Sequence, residues 1–147
     1  MRADVGYPDE RSELAVIRLD RRGVDSPTLD RVRQVLDPET VARARGLVDA
    51  TTVSEQVAAY VVAIVRATRT LPGVSLGASP RASVHLLAAA KAAARLADRD
   101  FVTPDDVAAM AGPVLRHRLV LTPEAELERF GAGDAVNAAL ASVAVPR

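Results

Sequence analysis

Ser79, Pro80 and Arg81 form the tripeptide whose residue types and spacing best fit binding chemistry. A serine followed by proline favours a helix start, because the hydroxyl can accept a first-turn N–H and proline needs no N–H partner at the first helical position. Arg81 would then lie where exposed N–H groups and the helix dipole favour anions, and its guanidinium can bind a phosphate bidentately. The tripeptide predicts a phosphate-binding arginine, with an ordinary surface arginine as the alternative.

Further basic side chains share one face of the helix that Arg81 would begin: His85, Arg95 and Arg99. This face could form a basic stripe toward phosphate, but each helical turn adds about 5.4 Å to the distance from Arg81. We therefore expect only Arg81 to reach a bound phosphate. We interpret His85 and Lys91 as polar surface or interface residues.

Asp105 and Asp106 are adjacent carboxylates that follow Thr103 and Pro104. Thr103 predicts an N-cap, Pro104 a first helical position, and Asp106 the third residue of a capping box. Paired carboxylates could support acid–base chemistry or bind a metal. Because carboxylates in a first turn also complement the helix dipole, we assign them a structural role.

No motif for phosphoanhydride hydrolysis or nucleophilic catalysis occurs in the sequence. It contains neither a G-x-x-x-x-G-K-[ST] phosphate loop, nor an apolar strand ending in Asp-Glu that would bind magnesium, nor a G-x-S-x-G elbow. Two histidines, His85 and His117, cannot by themselves form a triad or a metal site, and no cysteine is present. We expect no enzymatic activity from this chain alone.

The composition favours one helical domain. Nineteen basic and nineteen acidic residues give the 147-residue chain a formal net charge of zero, which argues against nucleic acid as a partner. Hydrophobic residues make up 49% but aromatic residues only 3%, and abundant alanine, valine and leucine favour closely packed helices. Because neither a signal peptide nor an apolar run of about 18 residues occurs, we expect no membrane span and a cytoplasmic location.

Four predicted helix starts combine a capping residue with proline: Asp37-Pro38, Ser79-Pro80, Thr103-Pro104 and Thr122-Pro123. Together with the apolar periodicity they predict an all-α small helical bundle with helices over residues 9–19, 39–49, 55–69, 80–99, 104–113, 123–131 and 134–145. The clearest amphipathic stripe lies in the third helix: Val57, Tyr60, Val61, Ile64, Val65 and Thr68. Loops are predicted at 71–76 and at 24–36, the latter with four residues contacting the core: Leu29, Val32, Val35 and Leu36. A short buried extended link is predicted at Phe101 and Val102.

Four motifs follow one another between residues 77 and 119: Gly77-Ala78-Ser79-Pro80-Arg81, 91–94, 101–107 and 114–119. Their combination in this order is more specific than any single motif. They closely resemble the C-terminal helical lid of the MoxR family of AAA+ ATPases. The segment 67–69 resembles the end of a lid helix, and 6–8 resembles the end of the last strand of the ATPase core. The resemblance implies that residues 1–8 are a short extended remnant of the core strand and a linker, and that 9–147 are the helical lid. A loosely packed N-terminal arm is the alternative for 1–8.

The resemblance also implies a nucleotide site. Arg81 corresponds to the sensor-2 arginine, which contacts the γ-phosphate of ATP and couples the nucleotide state to the lid angle. Ser79 and Pro80 would accompany it, and Tyr7 and Pro8 would lie near the adenine. Mg²⁺ would be held by the core, which the sequence does not include, so the parent protein rather than this chain alone would be the ATPase.

The partners implied by the resemblance are the lid's own AAA+ core and neighbouring subunits of a hexameric ring. The family often acts as a chaperone-like partner of von Willebrand factor A-type proteins. Arg116 or Arg118 could contact a neighbouring subunit's nucleotide in trans. Alternatively, they pair with nearby glutamates of the same chain: Glu124, Glu126 and Glu128.

Two other function classes remain open. A helical protein–protein interaction module would bind its partner through an apolar groove, and Arg81 would then be dispensable. A small DNA-binding domain would use a basic face: Arg95, Arg99, Arg116 and Arg118. The neutral net charge makes DNA binding the weakest of the three hypotheses.

Overall fold

The computed structural model describes residues 1, 5–19 and 32–146, with only the backbone of Leu19. The chain divides into two compact units, Ala3–Ala42 and the remainder, Met1–Arg2 with Arg43–Arg147. The candidate phosphate-binding residues 79–81 belong to the larger unit. Tyr7 and Pro8 belong to the smaller one.

In the smaller unit, residues 5–9 have no regular secondary structure and lead into helix α1 (Glu10–Leu19). The Oδ1 atom of Asp9 accepts the N–H of Ser12 at 2.8 Å, which caps α1. Hydrogen bonds from Ser12 also lower the pKa of the Asp9 carboxyl. The helix predicted at 9–19 is therefore confirmed. Its apolar side chains are exposed: Leu14, Val16 and Ile17.

The segment before helix α2 (Pro38–Asp49) corrects one expectation. Val32, Val35 and Leu36 do not pack on a core but are 73%, 88% and 60% exposed. Residues 32–37 contain no helix or strand, so no periodic face brings these side chains together. Leu29, the fourth residue expected on the core, lies outside the described residues.

The larger unit contains the C-terminal part of α2 and these further elements: α3 (Glu55–Ala67), β1 (Val74–Leu76), α4 (Pro80–Leu96), α5 (Pro104–Leu115), a 3₁₀ turn (Arg116–Arg118), β2 (Val120–Leu121), α6 (Pro123–Leu127) and α7 (Ala132–Ser142). Helix α4 packs against α5 and α3, and α7 packs against α3 and α5. The small helical bundle predicted from the sequence is thus confirmed.

The core forms where α3, α4 and α5 meet. Every member of the predicted α3 stripe is buried, including Ile64 and Val65 at 0% exposure. Helix α4 contributes four buried residues at four-residue steps: Ala82, Leu86, Ala90 and Ala94. Because three of these four are alanine, the neighbouring helices can approach α4 closely.

All four pairs of a capping residue and proline begin helices, namely α2, α4, α5 and α6. The capping box of α5 is complete, because Thr103 Oγ1 accepts the N–H of Asp106 at 3.3 Å while Asp106 Oδ2 accepts the N–H of Thr103 at 2.8 Å. The side chain of Asp106 is therefore long enough to complete the capping box at the start of α5.

Strands β1 and β2 form an antiparallel ribbon where the sequence predicts no strand. Val74 pairs with Leu121 and Leu76 pairs with Val120. The hydroxyl of Ser75 donates to the carbonyl of Val120 at 3.0 Å. Segments of three and two residues are too short for a period-two pattern, which is why the sequence predicts a loop at 71–76.

Further predictions on chain segments differ from the structure. Helices α4 and α7 end at Leu96 and Ser142, three residues before their predicted ends at 99 and 145. Helix α5 passes through Pro113 and ends at Leu115. Helix α6 ends at Leu127 rather than near residue 131, because Arg129 takes a left-handed backbone conformation with φ 61° that closes the turn. The sequence predicts a buried Phe101, but the structure leaves it 49% exposed while Val102 is buried. Successive side chains of an extended segment point to opposite sides, so only one of the two can face the core.

Candidate functional site

Arg81 is the second residue of α4 and is exposed. Its side chain makes no hydrogen bond or ion pair with any residue in the described ranges. The N–H of Ala82 bonds to the carbonyl of Ser79 at 2.9 Å, so the first turn is formed. A guanidinium at the N-terminus of a 17-residue helix is therefore available to an anionic ligand.

Ser79 is the N-cap residue of α4, as predicted, but its hydroxyl makes no capping hydrogen bond. The expectation that this hydroxyl caps the first turn is therefore wrong. The physical reason is that the N–H of Ala82, one of the two N–H groups that an N-cap side chain can accept, is taken by the Ser79 carbonyl. The exposed hydroxyl is consequently free of a capping role beside Arg81.

The loop before Ser79 is attached to the end of α3. Thr68 Oγ1 accepts the N–H of Ala78 at 3.0 Å and donates to the carbonyl of Val65 at 2.7 Å. Arg69 Nε donates to the carbonyl of Ala78 at 2.9 Å. Thr68 and Ala78 are both fully buried. Both backbone polar groups of Ala78 are thus satisfied by side chains from the end of α3.

Gly77 allows this loop to approach α3. A Cβ atom at position 77 would lie 2.6 Å from the Cα of Arg69 and 2.7 Å from the carbonyl oxygen of Thr68. Both are backbone atoms, which cannot move aside as the end of a flexible side chain can. Only glycine fits at this close approach.

Most basic side chains that follow Arg81 bond to other parts of the chain and do not form a common basic face with it. Lys91 and Arg95 donate to backbone carbonyls at the end of α2, Asp49 at 2.8 Å and Leu47 at 3.0 Å. Arg99 lies beyond the end of α4 and pairs with a carboxylate of α5. These internal contacts distinguish the three residues from Arg81. His85 is exposed.

Arg99 and Asp106 form a bidentate ion pair, with Nη1 to Oδ2 at 2.7 Å and Nη2 to Oδ1 at 2.5 Å. Asp106 is only 8% exposed. The hydrogen bond from Arg99, with further ones from Thr103, outweighs burial and lowers the pKa of Asp106 to about 2. The same pair raises the pKa of Arg99. Asp106 is therefore charged at neutral pH and held in an ion pair, which supports the structural role assigned to this carboxylate.

The AAA lid domain family matches residues 66–139, from the end of α3 to the middle of α7. The chain belongs to the AAA lid domain family. Within the lid, the matched span includes the α3 end that holds Ala78, the Arg81 turn and the Arg99–Asp106 pair.

Relatives support the MoxR branch. The lid is 37% identical over 142 residues to Uncharacterized protein YeaC of Bacillus subtilis, covering 97% of this chain and 43% of that protein. It is 35% identical over 153 residues to Chaperone MoxR1 of Mycobacterium tuberculosis, covering 98% and 39%. A solved candidate ATPase of Cytophaga hutchinsonii matches with a TM-score of 0.76 at 29% identity, covering 97% and 45%. The predicted MoxR-type lid is confirmed, and the chain spans less than half the length of each of these proteins.

The remaining predicted site residues lie apart from α4 in the chain. Tyr7 and Pro8 are exposed residues of the smaller unit. In the 3₁₀ turn, Arg118 Nε donates to the carbonyl of Val114 at 2.9 Å. Arg116 and His117 line a groove beside β2 and α6.

The part of the lid that the structure describes contains neither a membrane-spanning helix nor a metal-binding cluster. No helix in residues 5–19 or 32–146 combines the length and apolar character needed to cross a bilayer. Across the same ranges, no group of three or more histidine, aspartate or glutamate side chains is arranged to hold a metal ion.

The roles of Thr68 and Arg69 in holding Ala78 are not predicted by the sequence. From the sequence, Arg69 belongs only to the segment that resembles the end of a lid helix, and Thr68 only to an apolar stripe. The available signal was a threonine on a buried helix face, because a buried hydroxyl needs hydrogen-bond partners. Its distance of ten residues from Ala78 across a loop gave no indication of the partner.

Proposed function

We propose that this lid is part of a MoxR-like AAA+ ATPase and that Arg81 is its sensor-2 residue, which binds the γ-phosphate of ATP. The observation that carries the proposal is an exposed arginine without an internal partner among the described residues, in the first turn of a long helix. Arg95 and Arg99, which share its predicted face, are engaged in internal hydrogen bonds.

The proposed mechanism is a coupling between nucleotide state and lid orientation. Arg81 makes a charge-assisted bidentate contact with the γ-phosphate, and the Ser79 hydroxyl offers a second donor beside it. Hydrolysis removes this contact, which shifts the equilibrium between two lid orientations by the free energy of that interaction. Pro80 fixes φ at the helix start and so keeps the turn formed without a ligand.

The rest of the nucleotide site belongs to a core outside this chain. In this proposal residues 1–8 are the end of that core and a linker, and 9–147 are the lid. Tyr7 and Pro8 lie near the adenine. Mg²⁺ is held by core residues, and this chain alone does not hydrolyse ATP.

We further propose that the ATPase assembles as a hexameric ring in the cytoplasm, where lid motion acts on neighbouring subunits. The relative named Chaperone MoxR1 supports a chaperone-like activity. Proteins of the von Willebrand factor A type are the proposed partners. In a ring, Arg116 or Arg118 contacts the neighbouring subunit's nucleotide.

The test is ATP turnover of the full-length protein carrying Arg81→Ala. We expect kcat to fall about tenfold or more, because a charged contact to the transferred group is lost. Arg45→Ala is the matched control, since Arg45 is an exposed arginine of α2. Unchanged turnover with Arg81→Ala would contradict the sensor-2 role.

A protein–protein interaction module is the second candidate. One face of α3 lines an open, mainly apolar groove: Ala58, Ala59, Val62 and Ala63. Val62 is 46% exposed there. If partner binding through this groove is the function, Val62→Asp abolishes it and Arg81→Ala leaves it unchanged.

DNA binding has less support, because internal hydrogen bonds engage Arg95, Arg99 and Arg118. Gel shifts at two salt concentrations test this alternative.

A further inference from the structure

We infer that Thr68 and Arg69 are positioning residues for Arg81, which they hold in place through the backbone of Ala78. The inference rests on the proposed function of Arg81 and adds the residues that orient it. Thr68 Oγ1 accepts the N–H of Ala78, and Arg69 Nε donates to the carbonyl of the same residue. We call these two hydrogen bonds the Ala78 clamp.

The Ala78 clamp acts close to Arg81 in the chain. Ala78 is 0% exposed and Ala82 is 1% exposed, whereas the three residues between them are all exposed: Ser79, Pro80 and Arg81. The candidate site is therefore a short exposed turn fixed at both ends in the core. Ala82 is held because it belongs to α4 and is buried in the core. Ala78 precedes the helix, and its backbone depends on Thr68 and Arg69.

The clamp also connects α3 to the start of α4. Thr68 is the C-cap residue of α3, and Gly77 brings the loop against the backbone of Thr68 and Arg69. Loss of the clamp would leave buried polar groups of Ala78 unpaired and let the turn shift. Since misplacement of a catalytic group by about 1 Å can cost about a hundredfold in rate, a small shift should be measurable.

The experiment compares matched variants in the full-length protein. Thr68→Val keeps the shape of the side chain but removes the hydroxyl, and Thr68→Ser keeps the hydroxyl. Thr70→Val is the control, because the exposed Thr70 hydroxyl bonds only within its own turn, to the carbonyl of Ala67 at 3.2 Å. Arg69→Met repeats the comparison at the second contact, and Arg66→Met is its control, because Arg66 is an exposed arginine in the last turn of α3.

We expect Thr68→Val and Arg69→Met to lower kcat for ATP about tenfold, whereas Thr68→Ser and both controls stay within about twofold of wild type. Combined with Arg81→Ala, Thr68→Val should lower kcat no further, because the clamp acts through Arg81. A merely structural Thr68 would instead give an additive loss in the double variant. Additive losses, or normal kcat with Thr68→Val, would overturn the inference.

Hydrogen exchange separates this inference from the proposed function. Thr68→Val should speed exchange at the amides of Ala78 and Ala82, while Thr70→Val should not. Unchanged exchange with Thr68→Val would overturn the clamp even if Arg81→Ala lowers kcat. If Arg81→Ala leaves kcat unchanged while Thr68→Val speeds exchange, the sensor-2 role is overturned. The Ala78 clamp then remains as the contact that orders this turn.

Discussion

Lys91 Nζ donates a hydrogen bond to the carbonyl oxygen of Asp49 at 2.8 Å, so a side chain of α4 caps the last turn of α2. One turn later, Arg95 Nε lies 3.0 Å from both the Leu47 carbonyl and Thr51 Oγ1. The last carbonyls of a helix lack partners within it, and cations there complement the dipole. Because no residue of α2 is buried, these polar contacts hold its end.

Replacement of both cations, as Lys91→Met with Arg95→Met, should loosen the end of α2. Each lost hydrogen bond is worth about 0.5–1.5 kcal/mol, and the exposure of these contacts favours the lower value. We expect the amides of Ala50 and Thr51 to exchange faster, with the amides of α5 unchanged. Arg66→Met is the control, and equal exchange in both variants would show that other contacts hold α2.

Asp106 should make the lid sensitive to acid. Its pKa is about 2 in the folded lid and its ordinary value is 3.8, so the charged form stabilises the fold. That stability is complete above about pH 4 and is lost as the pH falls through about 2. The contribution is about 2 kcal/mol, which Asp106→Asn should remove at neutral pH.

Urea unfolding of the wild type and Asp106→Asn at pH 7, 4 and 2 measures this contribution. The difference in free energy of unfolding between the two should shrink from pH 4 to pH 2, since the wild type then loses the charge as well. Asp105→Asn is the control, because Asp105 is exposed on the same turn. A difference that does not depend on pH would argue against the ion pair with Arg99.

Two N-cap residues should respond differently to alanine. Thr103 Oγ1 accepts the N–H of Asp106 and also bonds to its carboxylate at 2.8 Å, whereas the Ser79 hydroxyl makes no capping hydrogen bond. We expect Thr103→Ala to cost about 1–2 kcal/mol and Ser79→Ala less than about 0.5 kcal/mol. Thermal unfolding of both variants checks this. A cost for Ser79→Ala equal to that for Thr103→Ala would mean that the Ser79 hydroxyl does cap α4.

The helices were predictable because their signals are local. A cap before proline at four places, and an apolar period of 3.6 residues in α3, are both contained in short segments. Arg81 could be selected for the same reason, since a position in a first turn follows from Ser79 and Pro80 alone.

The contacts between elements were not predictable, because they join residues that are distant in the chain. Lys91 and Asp49 are 42 positions apart, and Ser75 and Val120 in the ribbon are 45 apart. A lysine or serine has the same pattern in the sequence whether it is solvated or bonded to a distant carbonyl. The ion pair between Arg99 and Asp106 was missed although only seven positions separate them, because the turn that reverses the chain at 97–103 carries no periodic signal.

Gly77→Ala should destabilise the lid, because the added Cβ would lie 2.6 Å from the Cα of Arg69. The backbone must move apart, which costs about 1–3 kcal/mol and stretches the contacts of Ala78. Gly112→Ala is the matched control, since no atom lies within 4 Å of its added Cβ and it is inside α5. Alanine there should stabilise by up to about 1 kcal/mol. Thermal unfolding should therefore give shifts of opposite sign, and a Gly77→Ala lid as stable as the wild type would show that the loop can leave α3 without cost.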